Sequence, residues 1–126
     1  MARPIISVVD DDQSVRESLS SLIRSVGLSV RLYGSAEEFL GSGAVGETDC
    51  LILDVRMPGM SGLELQRLLN PTHPRLPVVF ITAHGSDDEV RARALSEGAV
   101  DYLSKPLSEE TVLEAVRKAL EKEDGR

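Results

Sequence analysis

Four places in this sequence carry side chains able to do chemistry, and each follows a short apolar run. Asp10, Asp11 and Asp12 follow Ile5-Ile6-Ser7-Val8-Val9. Asp54 ends Cys50-Leu51-Ile52-Leu53, Thr82 ends the run from Pro77, and Lys105 follows the run from Val100. Taken singly, such residues have ordinary structural roles. An acid after a strand often caps the next helix, which is the reading for Asp12, and a lone lysine is usually a solvated surface group. Brought together they would be a set of carboxylates, a hydroxyl and an ammonium. Crowded carboxylates repel, which raises a pKa or recruits a cation. Oxygen donors suit a hard ion such as Mg²⁺, which keeps several waters and binds through few carboxylates. A carboxylate beside Mg²⁺ can attack phosphorus and become an aspartyl phosphate. Mg²⁺ and Lys105 would then offset the charge on the transferred oxygens.

Whether these groups meet depends on the elements between them. The apolar runs at 5–9, 28–32, 50–53, 77–82 and 100–104 read as strands buried on both faces. Helical spacing follows each one. Val15, Leu19, Leu22, Ile23 and Val26 form an apolar stripe closed by Gly27. Ser35 to Glu38, Ser61 to Glu64 and Ser86 to Glu89 have the form of capping boxes, and Ser108 caps a last helix. Asn70-Pro71 stops the third helix, and Gly98 the fourth. Strand starts recur about every 22 to 27 residues, enough for a helical crossover between parallel strands. The expected fold is therefore α/β, a three-layer domain around a parallel sheet. In such sheets ligands bind beyond the carboxyl ends of the strands, where all four groups fall.

Composition narrows the function classes. The chain has 126 residues, 41% of them hydrophobic and 28% charged, which suits one globular domain. Residues 1–122 are expected to form it, with 123–126 a polar tail or the start of a linker. Aromatics are 3%, and the net charge is -7. Both disfavour direct binding of DNA or RNA by this segment. Cys50 is the single cysteine, which excludes an internal disulfide and a cysteine-rich zinc site. No apolar run approaches membrane-spanning length, and the amino terminus lacks the pattern of a signal peptide, so a cytoplasmic location is expected. Gly41-Ser42-Gly43-Ala44-Val45-Gly46 matches G-x-G-x-x-G, but it follows a helix and precedes a strand, so it is read as a loop. The residues from Asp10 to Ser21 begin like a calcium loop, and fail where glycine and glutamate are required.

The residues at these strand ends also carry a resemblance. Val8 to Asp12, Leu51 to Gly62, Phe80 to Ala83 and Tyr102 to Pro106 resemble, in order and spacing, the receiver (CheY-like) domain of two-component response regulators. The residues from Asp12 to Leu19, from Tyr33 to Leu40, and Arg56-Met57-Pro58 are similar to the FixJ-type subfamily. The resemblance implies a flavodoxin-like (βα)5 fold with strand order 2-1-3-4-5. It implies Asp54 as phospho-acceptor, with Mg²⁺ bound directly by Asp11, with help from Asp10 through water, by Asp54 and by the backbone carbonyl of Arg56. Thr82 and Lys105 would contact the phosphoryl group. Tyr102 would be a switch aromatic, and Lys105-Pro106 a cis peptide. The phosphoryl donor would be a sensor histidine kinase, and the chain a regulator rather than an enzyme. A LuxR-type helix-turn-helix domain usually follows such receivers and would carry a transcriptional output. The subfamily also suggests a phosphorylation-dependent homodimer through the fourth helix and fifth strand, where Arg91, Arg93 and Asp101 lie.

Other classes remain open at this point. A haloacid-dehalogenase-type phosphatase also forms an aspartyl phosphate, but carries D-x-D-x-T where this chain has Asp10-Asp11-Asp12-Gln13-Ser14. A stand-alone receiver, or a receiver-shaped binding module that is never phosphorylated, is the other alternative.

Overall fold

Five apolar runs form five parallel strands, because a sheet buried on both faces needs helices on both sides. The computed structural model describes residues 3–83 and 87–125, with side chains to residue 122. In chain order the elements are β1 (Ile5–Val9), α1 (Gln13–Ser25), β2 (Ser29–Tyr33), α2 (Ala36–Gly41), β3 (Cys50–Asp54), α3 (Gly62–Leu69), β4 (Val78–Thr82), α4 (Asp88–Ser96), β5 (Asp101–Ser104) and α5 (Glu109–Gly125). The strands lie in the order β2-β1-β3-β4-β5, as in the flavodoxin-like fold.

Alternation along each strand divides the core into two layers. Leu51 and Leu53 pack on one side with Phe39, Leu65, Phe80 and Ala94, beneath α2, α3 and α4. Cys50 and Ile52 pack on the other with Leu19, Ile23, Val112 and Val116, beneath α1 and α5. Cys50 is thus a buried core thiol.

Local capping fixes where each helix begins, and so where each strand end stops. The Asp12 carboxylate accepts from the Ser14 and Val15 N–H groups, which satisfies donors that α1 itself cannot. Ser61 and Glu64 form a reciprocal capping box on α3. At α2 only half of the expected box forms. Ser35 accepts from Glu38 N–H, but Glu38 reaches past Ser35 to the N–H of Gly34 at 2.6 Å. The fourth helix departs from expectation as well. Asp87, not Ser86, is its cap, accepting from Val90 N–H. Asp reaches the third N–H as readily as Ser and adds a charge that favours a helix start. Ser86 itself, like His84, lies outside the described residues. The glycine-rich segment after α2 contains a short 3₁₀ turn, Val45–Glu47, rather than a plain loop. Among the described residues, no helix is long and apolar enough to cross a membrane.

Gly62, the first residue of α3, packs its Cα on the end of β3. A Cβ there would lie 2.2 Å from the backbone carbonyl oxygen of Asp54. Backbone cannot yield as a flexible side chain does, so Gly62→Ala is expected to destabilise the fold by about 2 kcal/mol or more. A lower urea midpoint at an unchanged m-value is the measurement that checks it.

Candidate functional site

The strand order decides which groups meet. β1 and β3 are neighbours at the centre of the sheet, with Val9 opposite Leu53. Asp10, one residue beyond β1, therefore comes beside Asp54, the last residue of β3. Thr82 ends β4 and lies opposite Ser104 in register, one residue before Lys105. The chain reverses its direction of travel across the sheet between β1 and β3, the place where parallel α/β sheets open a crevice.

Asp10, Asp11 and Asp54 offer carboxylate oxygens that all lie within 4.8 Å of one another. Asp10 is fully buried and Asp54 is 5% exposed, while Asp11 is exposed at the rim. Lys105 reaches into this cluster. Its Nζ lies 3.0 Å from Asp10 Oδ2 and 3.7 Å from Asp54 Oδ2. The other oxygen of Asp10 accepts the N–H of Asp12 at 2.8 Å, and Arg16 of α1 donates to the Asp10 carbonyl at 2.7 Å. Asp12 faces outward as a cap, and the hydrogen bonds from Ser14 hold its carboxyl below the usual range. Asp10 Oδ2 is buried, and the Lys105 ammonium is the cation that faces it.

One ammonium does not balance three carboxylates. Burial pushes the Asp54 carboxyl up, the Asp10 charge adds to this, and Lys105 and the Arg56 N–H pull against it, leaving it at about 7. For Lys105 burial opposes the charge, but the paired carboxylates outweigh it and raise its pKa. Three oxygen ligands, two of them buried, with net negative charge, fit a hard divalent cation.

The residues expected to couple to the pocket lie at the end of β4 and on β5. Thr82 is buried at 1% exposure. Tyr102, on β5, is buried against Phe80 with ring centroids 6.4 Å apart. Burial pushes its phenol up, and the Thr82 side chain pulls the other way. The Lys105-Pro106 bond is cis. On the outer face of α4 and β5, Arg91 is exposed. Arg93 pairs with Glu97 at 3.4 Å and Asp101 with Lys118 at 3.0 Å. The sequence reading passed over Arg16, because an arginine on a helix surface carries no signal of the carbonyl it will meet. The Arg56 side chain, which pairs with Asp87 at 3.2 Å, was missed for the same reason.

A parallel α/β domain with a carboxylate at its central strand end, two further acids and a lysine has the form of a phospho-accepting switch. The model of the response regulator receiver domain matches residues 6–117, and the chain belongs to that family. It is 48% identical to nodulation protein W of Bradyrhizobium diazoefficiens over 98% of this chain and 54% of that protein. To the transcriptional regulatory protein FixJ of Azorhizobium caulinodans it is 42% identical, over 96% of this chain and 58% of that one. The solved structure of the response regulator StyR superposes with a TM-score of 0.89 at 45% identity, covering 99% of this chain and 63% of StyR. The chain thus spans little more than half the length of these curated relatives.

The raised pKa of Asp54 has a consequence for stability. A carboxylate whose folded pKa lies above its unfolded value binds more protons in the native state. In metal-free buffer the fold should therefore lose stability as pH rises from about 4 through about 7. Asp54→Asn removes that charge, and at pH 8 with a chelator it should be the more stable protein, by roughly 1–4 kcal/mol. Urea unfolding of both proteins at pH 5 and pH 8 checks this, the gap between them widening at the higher pH.

Proposed function

We propose that Asp54 is the phospho-acceptor of this receiver domain and that Mg²⁺ is its cofactor. The ligands would be Asp11 directly, Asp10 through water, Asp54 and the backbone carbonyl of Arg56. The observation that carries this reading is the convergence of three carboxylates and Lys105 on one buried corner. When bound, Mg²⁺ supplies the positive charge that keeps the crowded acids ionised and offsets charge on the phosphoryl oxygens.

The remaining chemistry belongs to the chain. The ionised Asp54 oxygen attacks phosphorus as the phosphorus–nitrogen bond of a donor phosphohistidine breaks, and the imidazole leaves with the electron pair. A small acyl phosphate serves equally, leaving as a carboxylate. Lys105, which divides itself between Asp10 and Asp54 before the reaction, turns its ammonium to a phosphoryl oxygen. The Thr82 hydroxyl takes another oxygen, and its movement is felt by the Tyr102 ring, which is already buried against Phe80. A buried acyl phosphate in this way biases a two-state domain through hydrogen bonds and packing.

Similarity to sensor-regulated proteins favours a histidine kinase as the partner that supplies the phosphoryl group. The output is a change of protein contact rather than binding of nucleic acid by this segment, whose net charge is -7. Transcriptional control would reside in the half of such regulators that this chain does not cover. The dimer face is α4 and β5, with Arg91 and Arg93 meeting Asp101 of a second copy. Because Arg93 and Asp101 already hold Glu97 and Lys118, dimerisation exchanges one set of exposed ion pairs for another. Such pairs are worth about 0–1 kcal/mol each, so they set orientation, and the switch itself must supply the affinity.

Incubation with Mg²⁺ and a small acyl phosphate should add one alkali-labile phosphoryl group, and Asp54→Asn should abolish it. Wild-type labelling of Asp54→Asn would overturn the assignment. In sedimentation, beryllofluoride with Mg²⁺ should shift the wild-type protein from monomer toward dimer. Arg93→Ala should weaken that shift, and identical monomer fractions with and without beryllofluoride would remove the dimer switch.

A further inference from the structure

The loop from Val55 to Ser61, which joins β3 to α3, is fastened from outside the pocket by a side chain of another helix. Glu37, in the first turn of α2, accepts the Met60 N–H through Oε2 at 2.9 Å. The loop closes around this carboxylate. Gly59 takes φ +78°, and a Cβ there would lie 2.7 Å from Glu37 Oε2. The Met60 N–H also holds the Glu37 carboxyl below the usual range, so the acceptor stays ionised. The adjacent acid does something different, since Glu38 turns back to Gly34 N–H within its own loop.

Of the other fastenings, one holds the Arg56 side chain to Asp87 at 3.2 Å, and the rest secure the two ends of this loop. At one end Val55 N–H donates to Ile81, and at the other Gly62 N–H returns to the Val55 carbonyl at 2.9 Å. The Ser61 N–H is held by Glu64 at 2.8 Å. Between them lies the outward bend from Arg56 to Met60. Its inner end matters to the pocket, because the bend begins two residues after Asp54 and the Arg56 backbone helps to hold the Asp54 carboxyl down. Glu37 ties down the outer end of the same bend. A loop held along its bend keeps its backbone groups aimed, and losing a group behind a metal ligand typically costs roughly 10–100-fold in affinity.

We propose that Glu37 is a positioning residue for the acidic pocket, holding the bend so that the Arg56 peptide stays aimed at Asp54 and at the divalent cation. The inference rests on the reading of the pocket as a Mg²⁺ site to which this loop contributes. A role confined to the α2 helix start would leave cation affinity untouched, since Ser35 already provides the side-chain cap there.

The test is a calorimetric Mg²⁺ titration of the wild-type chain, Glu37→Ala, Glu37→Gln, Gly59→Ala and Asp11→Ala, with thermal melts of each. Glu37→Ala should bind Mg²⁺ about tenfold more weakly, the low end of the loss when a partner behind a ligand is removed. Glu37→Gln should stay near wild type, because the amide oxygen still accepts the Met60 N–H. Gly59→Ala should weaken binding like Glu37→Ala, since the methyl displaces the carboxylate and the left-handed bend no longer suits the residue. The inference falls if Glu37→Ala binds as tightly as wild type, or if Glu37→Gln is as weak as Glu37→Ala. Should Glu37→Ala prove unfolded in its melt, the pair Glu37→Gln and Gly59→Ala decides by the same contrast. Asp11→Ala separates the two levels. Lost affinity there with an unaffected Glu37→Ala overturns this inference alone, while an unaffected Asp11→Ala overturns the Mg²⁺ reading beneath it.

Discussion

Three carboxylates share one corner of this fold with a single ammonium, and two of them are buried. In water such a cluster would scatter. Here the backbone holds it together, because Asp10 follows one central strand and Asp54 ends its neighbour. The repulsion is held in place by the sheet, whose hydrogen bonds and apolar layers cannot shift to relieve it. The cost appears in the Asp54 carboxyl, pushed up to about 7. A site frustrated in this way responds strongly to any added charge, whether a proton, a cation or a phosphoryl group. That sensitivity is what a switch needs.

The surroundings divide into parts that hold still and parts that can answer. Asp12 caps α1, Gly62 seats α3 on the Asp54 carbonyl, and Arg16 grips the Asp10 carbonyl. These contacts leave the acids little freedom. Thr82, Tyr102 and Lys105 come from the other side of the pocket, on β4, on β5 and just after β5. The same division runs along α4. Its carboxyl end is tied to α3 by three side chains. Gln66 donates to the Ala94 carbonyl at 3.1 Å, Asn70 to the Glu97 carbonyl at 3.0 Å, and Arg67 pairs with Glu97 at 2.9 Å. Its amino end is tied by an exposed ion pair, Arg56 to Asp87, beside the loop that carries Arg56. A disturbance in the pocket thus meets the weaker end of α4 first.

On the surface, charge is distributed rather than gathered. Arg31 pairs with Glu47, Arg67 and Arg93 with Glu97, and Lys118 with Asp101. A basic stripe able to track a phosphate backbone needs cations free of such partners. This arrangement suits a module whose message passes by protein contact.

How much was legible in the sequence follows from which signals are local. Strand and helix identities come from short periodicities and caps, so the five strands and five α-helices were readable, with boundaries one residue off at β2, β4 and β5; the 3₁₀ turn was read as a loop, and α5 runs to Gly125, past the expected start of a polar tail at 123. The helix start at Asp87 was misplaced onto Ser86, because two good caps stand side by side and sequence alone does not choose between them. Asp10, Asp11, Asp54, Thr82 and Lys105 were legible as candidates because each terminates an apolar run, and parallel strands align their carboxyl ends. The tertiary structure alone decided the rest. It set the 3.0 and 3.7 Å approaches of Lys105, the burial that raises Asp54, the turn of Arg16 back onto the Asp10 carbonyl, and the reach of Glu37 to a loop far from it in sequence. Those depend on long-range distances and on exclusion of water, and neither quantity is carried by a residue's type or its neighbours along the chain.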